Sequence, residues 1–172
     1  MTITPLHHVV LSVTDFERSL AFYRDALGFR KTMESPVVGY EKYLHIPEGS
    51  TGRMAMLAAD DRLMGMVEII EWEIPGEIET GPPKRAGDPG VQMLAMEVHD
   101  DSLEAIVERW AEMGIELFSP ITPVELEGYP RFQTLVVEDP DGLLVELIQL
   151  PTQDEVKAFR AAQREKQAAE AK

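Results

Sequence analysis

The sequence predicts an α+β fold in which one unit, a strand, a helix and then several strands, occurs twice. Three observations predict it. The apolar period switches from strand-like to helix-like in Leu6–Gly28 and again in Met93–Gly114. The two stretches correspond residue by residue: His8 maps onto Met93 and Asp15 onto Asp100 at an offset of 85, and Gly28 onto Gly114 at 86. The run Met66-Val-Glu-Ile-Ile70 resembles Leu144-Val-Glu-Leu-Ile148. With 172 residues, 44% of them apolar, the chain is long enough to bury a core without staples. One half alone would leave its sheet face bare, so the halves are expected to pack together.

The elements follow in order. Leu6–Val13 is a short β-rich run. Phe16, Leu20, Tyr23 and Leu27 then recur at helical spacing. Thr14 with Glu17 reads as a capping box, and Gly28 as the C-terminal stop. Strands are expected at Phe29–Glu34, Tyr40–Ile46, Arg53–Ala58 and Gly65–Trp72, with turns at Pro47–Gly52 and Ala59–Arg62. The Pro/Gly-rich stretch Pro75–Gly90 reads as a linker. Met93–Val98 restarts the pattern. Leu103, Ile106, Val107, Trp110 and Met113 form a helical stripe, capped by Asp101 with Glu104 and ended by Gly114. Strands are expected at Glu116–Phe118, Phe132–Val137 and Leu143–Leu150, the last two joined by the turn Asp139-Pro-Asp-Gly142. Residues 1–150 are thus expected as a single domain: a first module over about 5–73, a linker over 74–90 and a second module over about 91–150. The tail, 151–172, is rich in Ala, Lys, Glu, Gln and Arg and reads as a solvated helix rather than a partner-binding arm.

Composition narrows function. Sixteen basic against 31 acidic residues give a net charge of −15, a field that repels phosphate backbones and anionic membranes. The chain has no cysteine, so disulfides, thiolate metal sites and a Cys nucleophile are excluded. That fits a reducing cytoplasm, the expected location. No apolar run is long enough to span a membrane, and the first residues do not read as a signal peptide. No P-loop, dinucleotide glycine fingerprint or serine nucleophile elbow is present.

Two carboxylates stand out. Strand alternation puts Glu68 on one face with Met66 and Ile70, and Glu146 with Leu144 and Ile148. A carboxylate among apolar neighbours is costly to bury unless something compensates it, and a cation would do so. His8, on the first strand of the repeat, shares a face with Leu6, Val10 and Ser12. An imidazole and two carboxylates suit a divalent ion such as Mn, Fe, Co, Ni or Zn. Each residue also has a structural reading: a glutamate facing water on a half-open sheet, or a strand histidine held by local packing.

In this order, His8-Val-Val-Leu-Ser-Val-Thr-Asp15, Ser19-Leu-Ala-Phe-Tyr23, Leu27-Gly-Phe29, Asp139-Pro-Asp-Gly142 and Glu146 resemble the vicinal oxygen chelate superfamily. That group includes glyoxalase I, bleomycin- and fosfomycin-resistance proteins, methylmalonyl-CoA epimerase and extradiol dioxygenases. The resemblance covers about residues 5–150. It implies two βαβββ modules curling around a cleft, with metal ligands on the first and last strand of each. Those positions are His8, Glu68, Met93 and Glu146 here. Met93 departs from the histidine common there, and a thioether is a weak ligand for hard ions. Gln92 is adjacent, but alternation points it to the opposite face. Extradiol chemistry, which needs a second histidine, is therefore disfavoured.

The resemblance implies a metal-dependent enzyme of glyoxalase or isomerase type. It would move a proton beside a chelated oxygen pair of a small organic substrate, with Glu146 or Glu68 as base. The alternative is a metal-free protein that binds or sequesters an organic ligand, as bleomycin-resistance members do. A homodimer is expected by the same analogy. Further candidates for contact with substrate are Met93, the pair Tyr43 and His45, which share one strand face, and Tyr129 and Arg131 before the penultimate strand. His7 alternates away from His8 and reads as structural. His99 corresponds to Thr14 and reads as a local cap.

Overall fold

The computed structural model describes residues 3, 5–76 and 89–170, so most of the expected linker lies outside the described residues. The chain forms two compact units. One is Met1–Asp88 together with Asp139–Gly142, and the other is Pro89–Glu138 with Leu143–Lys172.

In the first unit, β1 (His8–Val13), α1 (Phe16–Ala21), β2 (Arg30–Val37), α2 (Glu41–Leu44), β3 (Thr51–Ala58) and β4 (Met66–Glu73) follow in order. The second holds β5 (Met93–Glu97), α3 (Leu103–Glu112), β6 (Leu117–Val124), β7 (Phe132–Glu138), β8 (Leu144–Gln149) and α4 (Gln153–Glu170). Each unit contains one four-stranded sheet. The strand orders are β1-β4-β3-β2 and β5-β8-β7-β6, the same topology twice. In both sheets the first strand runs parallel to the last and the other pairings are antiparallel. The fold is therefore α+β, two repeats of a βαβββ unit with a C-terminal helix.

The register makes the repeat exact at the strands that carry the two glutamates. Val10 lies opposite Glu68, and Ala95 opposite Glu146. His8 lies opposite Met66, and Met93 opposite Leu144. Between these strands the spacing drifts for visible reasons. α1 and α3 begin at Phe16 and Leu103, 87 positions apart, because the second unit has two more residues before its helix. The offset returns to 86 at Gly28 and Gly114 because the helix of the first unit continues as a π-helical turn over Phe22–Ala26. Such a turn takes up one extra residue.

The β4 strand is buried on both faces, which explains its unbroken apolar run. Val67 and Ile69, with Ala55 and Leu57 of β3, lie on the face toward α1, where the Phe16 amide reaches the Glu71 carboxylate at 3.4 Å. Phe16, Leu20 and Tyr23 are buried there, each contributing about 1.5–3 kcal/mol by leaving water. The opposite face gathers Val37, Met54, Met56, Ala58, Met66 and Ile70, flanked by Tyr40 and Trp72. In the second unit α3 buries Leu103, Ile106 and Trp110, and the sheet buries Leu135, Val137, Val145 and Leu147.

The Asp139–Gly142 turn, although it joins β7 to β8, belongs to the first unit. Tyr23 donates to the buried Asp139 carboxylate at 2.8 Å. The Thr14 amide and hydroxyl and the Ser19 hydroxyl all reach the Asp141 carboxylate. Arg18 donates to the Pro140 carbonyl at 2.9 Å. Asp139 also accepts the Asp141 amide through its side chain, and the Gly142 amide through its carbonyl.

Four sequence expectations are corrected. Tyr40–Ile46 is not a strand: Glu41–Leu44 make one helical turn, and His45 sits at φ 55°. The cap of α1 is Asp15, whose side chain accepts from the Arg18 amide, because Thr14 is engaged by Asp141. The cap of α3 is Ser102, accepting from the Ala105 amide at 3.1 Å, while Asp101 is drawn to Arg109. His99 therefore caps no helix; its ring lies 3.6 Å from the Glu97 carboxylate. Gly28 and Gly114 stop their helices as expected, both at positive φ.

Candidate functional site

β4 holds Glu68 in the middle of the apolar face. Met56 lies opposite it on β3 and Val10 opposite it on β1. Met66 and Ile70 flank it on its own strand. The residue is 6% exposed. A carboxylate in such surroundings stays ionised only beside positive charge or strong donors. The group that answers it is His8, whose Nε2 stands 3.2 Å from Glu68 Oε2. His8 is positioned by the β1–β4 ladder, which fixes it two residues before the position opposite Glu68.

The pair fits a divalent ion. Two N/O ligands about 2.1 Å from one metal stand about 3.0–3.4 Å apart at octahedral to tetrahedral angles. The observed 3.2 Å falls in that interval. The donor types, imidazole nitrogen and carboxylate oxygen, are those that Mn, Fe, Co, Ni and Zn accept. Among the described residues no cluster of three or more His, Cys, Asp or Glu side chains that could hold a metal is present, so His8 and Glu68 stand as a pair of donors.

Glu146 occupies the matching register position of the second unit and is half-buried. Its carboxylate lies 2.7 Å from the Thr134 hydroxyl, which also lies 3.1 Å from the Leu147 carbonyl. Thr134 has one proton and two oxygen neighbours. It can donate to an ionised Glu146, or accept from a protonated one while donating to Leu147. Met93 stands where His8 stands in the first unit, 39% exposed.

The remaining candidates are more dispersed. Tyr43 is exposed beside Tyr40, their rings edge-to-face, and shares no strand face with His45. Tyr129 packs edge-on against Phe132. Arg131 is exposed, 3.9 Å from the Glu125 carboxylate.

Sequence reasoning missed two residues. Thr134 was legible as a polar residue inside the apolar run Phe132–Val137. Alternation reads His7 as structural, but β1 begins only at His8, so alternation does not govern it. Its Nδ1 lies 2.7 Å from His8 Nδ1.

The family model of the Glyoxalase/Bleomycin resistance protein/Dioxygenase superfamily matches residues 5–147. The chain belongs to this superfamily. It is 27% identical over 142 residues to the uncharacterized protein YaeR of Escherichia coli, a match covering 83% of this chain and 93% of that one. A glyoxalase family protein of Bacillus cereus superposes with a TM-score of 0.71 at 16% identity, over 88% of this chain and 97% of that one. TnmS3, an antibiotic binding protein from a Streptomyces, superposes with a TM-score of 0.59 at 20% identity, over 88% of this chain and 99% of that one. At such identities these structures speak to the fold. Among the described residues, no helix is long and apolar enough to cross a membrane.

Proposed function

We propose that this member of the superfamily is a metal-dependent enzyme of glyoxalase or isomerase type, acting on a small oxygenated organic substrate by proton transfer. The observation that carries the reading is Glu68, a buried carboxylate whose partner is the His8 imidazole at 3.2 Å. Burying this group costs stability, and a site for a cation gives that cost a use. When bound, a divalent ion would supply a Lewis acid for an oxygen pair of the substrate. His8 and Glu68 would hold the ion. Glu146 or Glu68 would accept the substrate proton, an expectation carried by the family resemblance, and the Thr134 hydroxyl can pair with Glu146 in either protonation state. As a third ligand, Glu146 is an expectation carried by the repeat.

Elemental analysis of untagged protein tests the reading, with Glu68→Gln and Glu146→Gln beside the wild type. Near-stoichiometric metal in the wild type, lost in Glu68→Gln, supports it. Retention of that metal in Glu146→Gln would remove Glu146 from the ligand set. A wild type that stays empty after addition of Mn, Fe, Co, Ni and Zn refutes it. Loaded protein is then assayed for proton exchange with 2-oxoaldehyde hemithioacetals and epimerisable acids.

A second reading is favoured by Met93, which puts a thioether at the position equivalent to His8. In it the protein binds an organic ligand without metal, and treatment with EDTA leaves the affinity unchanged.

A further inference from the structure

We propose that His7 is a positioning residue for His8: when a cation is bound, its ring accepts the His8 Nδ1 proton and so leaves the His8 Nε2 lone pair to that cation. The inference rests on the metal-dependent reading above. A neutral imidazole carries one N–H, and only its bare nitrogen can ligate. Which nitrogen is bare depends on the hydrogen bond that the other one makes. In His8 both nitrogens are engaged: Nε2 faces Glu68 Oε2 at 3.2 Å and Nδ1 faces His7 Nδ1 at 2.7 Å.

The contact is well directed. The two ring centroids are 5.0 Å apart, which leaves room for the 2.7 Å contact and little more than the two ring radii. Both nitrogens therefore point at each other along their in-plane axes, where an N–H and a lone pair lie. The planes are turned 80° from each other, so the rings meet edge-on and do not stack. The backbone under His7 is also held. The Met66 amide donates to the His7 carbonyl at 3.0 Å, and the Gly65 amide donates to the Leu6 carbonyl at 2.9 Å. His7 is thus fixed to the start of the strand that carries Glu68.

One proton fits between the two Nδ1 atoms, and its owner decides the state of the site. Without a cation, the Glu68 carboxylate draws the His8 proton to Nε2, and His7 donates to His8 Nδ1. With a cation between His8 and Glu68, Nε2 must be bare. The His8 proton then sits on Nδ1, and His7 turns acceptor, carrying its own proton on Nε2. Neither ring changes charge. A group that can both donate and accept is needed at position 7. Histidine or glutamine meets that need, and phenylalanine does not.

The test titrates Co2+ into untagged, metal-stripped wild type, His7→Gln and His7→Phe, followed by calorimetry. His7→Phe should bind about 10–100-fold more weakly, while His7→Gln stays close to the wild type. Urea midpoints of the three proteins should coincide, which separates positioning from unfolding. In Zn2+-loaded protein, the His8 Nδ1 proton should give a slowly exchanging resonance in the wild type and in His7→Gln, and exchange rapidly in His7→Phe. Equal Co2+ affinity of the wild type and His7→Phe would overturn this inference alone. A wild type that binds neither Co2+ nor Zn2+ would overturn the metal reading and this inference with it.

Discussion

Replacing Glu68 by methionine should stabilise the metal-free protein. Glu68 lies among Met54, Met56, Met66 and Ile70, with 6% of its surface exposed. Methionine has nearly the same length, no charge, and neighbours of its own kind. The substitution removes a carboxylate desolvation penalty of several kcal/mol and forfeits one contact with the His8 imidazole. It leaves no orphan, because the His8 side chain is 33% exposed and retains water and His7 as partners. Exchanging a buried ion pair for apolar packing is typically neutral or stabilising by about 1–4 kcal/mol. Because only one partner is replaced here, the expected gain is in the lower half of that range, about 1–2 kcal/mol. For a chain of this size that raises the melting temperature by about 2–8 °C. Urea unfolding at pH 7 in the presence of a chelator, followed by circular dichroism, measures it. The midpoint should rise with an unchanged slope, and the variant should bind no divalent metal. A midpoint lowered by the equivalent of about 2 kcal/mol or more would refute the reasoning, since Glu68 would then be part of what holds the sheet together.

Two further outcomes follow from the same physics. Tyr23→Phe removes the 2.8 Å hydrogen bond to Asp139 and should cost about 1.5–3 kcal/mol at neutral pH. Burial, and then the nearby Asp139 charge, push the Tyr23 hydroxyl far above its ordinary range. The folded state therefore keeps a proton that the unfolded chain releases above about pH 10. Wild-type stability should fall as pH rises past that point, and the gap between wild type and Tyr23→Phe should narrow; a constant gap in urea midpoints between pH 8 and about 11 would contradict this. Gly52→Ala puts a methyl 2.6 Å from the Glu71 carbonyl oxygen, across the β3–β4 ladder. The strands must part, and thermal melting should show a loss of about 1–3 kcal/mol, whereas an unchanged melting temperature would mean that the ladder yields freely.

Much of this was legible in the residues, where local chemistry and tertiary demand agree. The repeated strand-to-helix switch is legible because helix and strand impose different apolar periods. Glu68 and Glu146 are legible because a charge inside an apolar run needs a reason. The helical turn at Glu41–Leu44 reads as strand in the sequence, although Tyr40, Tyr43 and Leu44 carry i, i+3, i+4 spacing. Four residues are too few for a period to declare itself, and the turn is set by Gly39 at φ 80° and His45 at φ 55°. The caps differ from the sequence expectation for another reason. Thr14 and Asp15 are both residues that cap helices, and so are Asp101 and Ser102. The choice falls to a partner far along the chain, Asp141 at 127 positions, in one case, and to Arg109, about two turns into the helix, in the other.

The sequence by itself determined the repeat, the sheet-forming runs, the helix ends at Gly28 and Gly114, and the carboxylates that sit against the apolar pattern. These are consequences of local period, propensity and cost. Only the tertiary structure decided the strand order, the register that places His8 Nε2 beside Glu68, the seating of Asp139–Gly142 on α1, and the contact of His7 with His8. Each of these depends on distances between residues far apart in sequence or on ring orientation. A one-dimensional pattern specifies which side chains must be buried or paired, and the folded chain selects the partners.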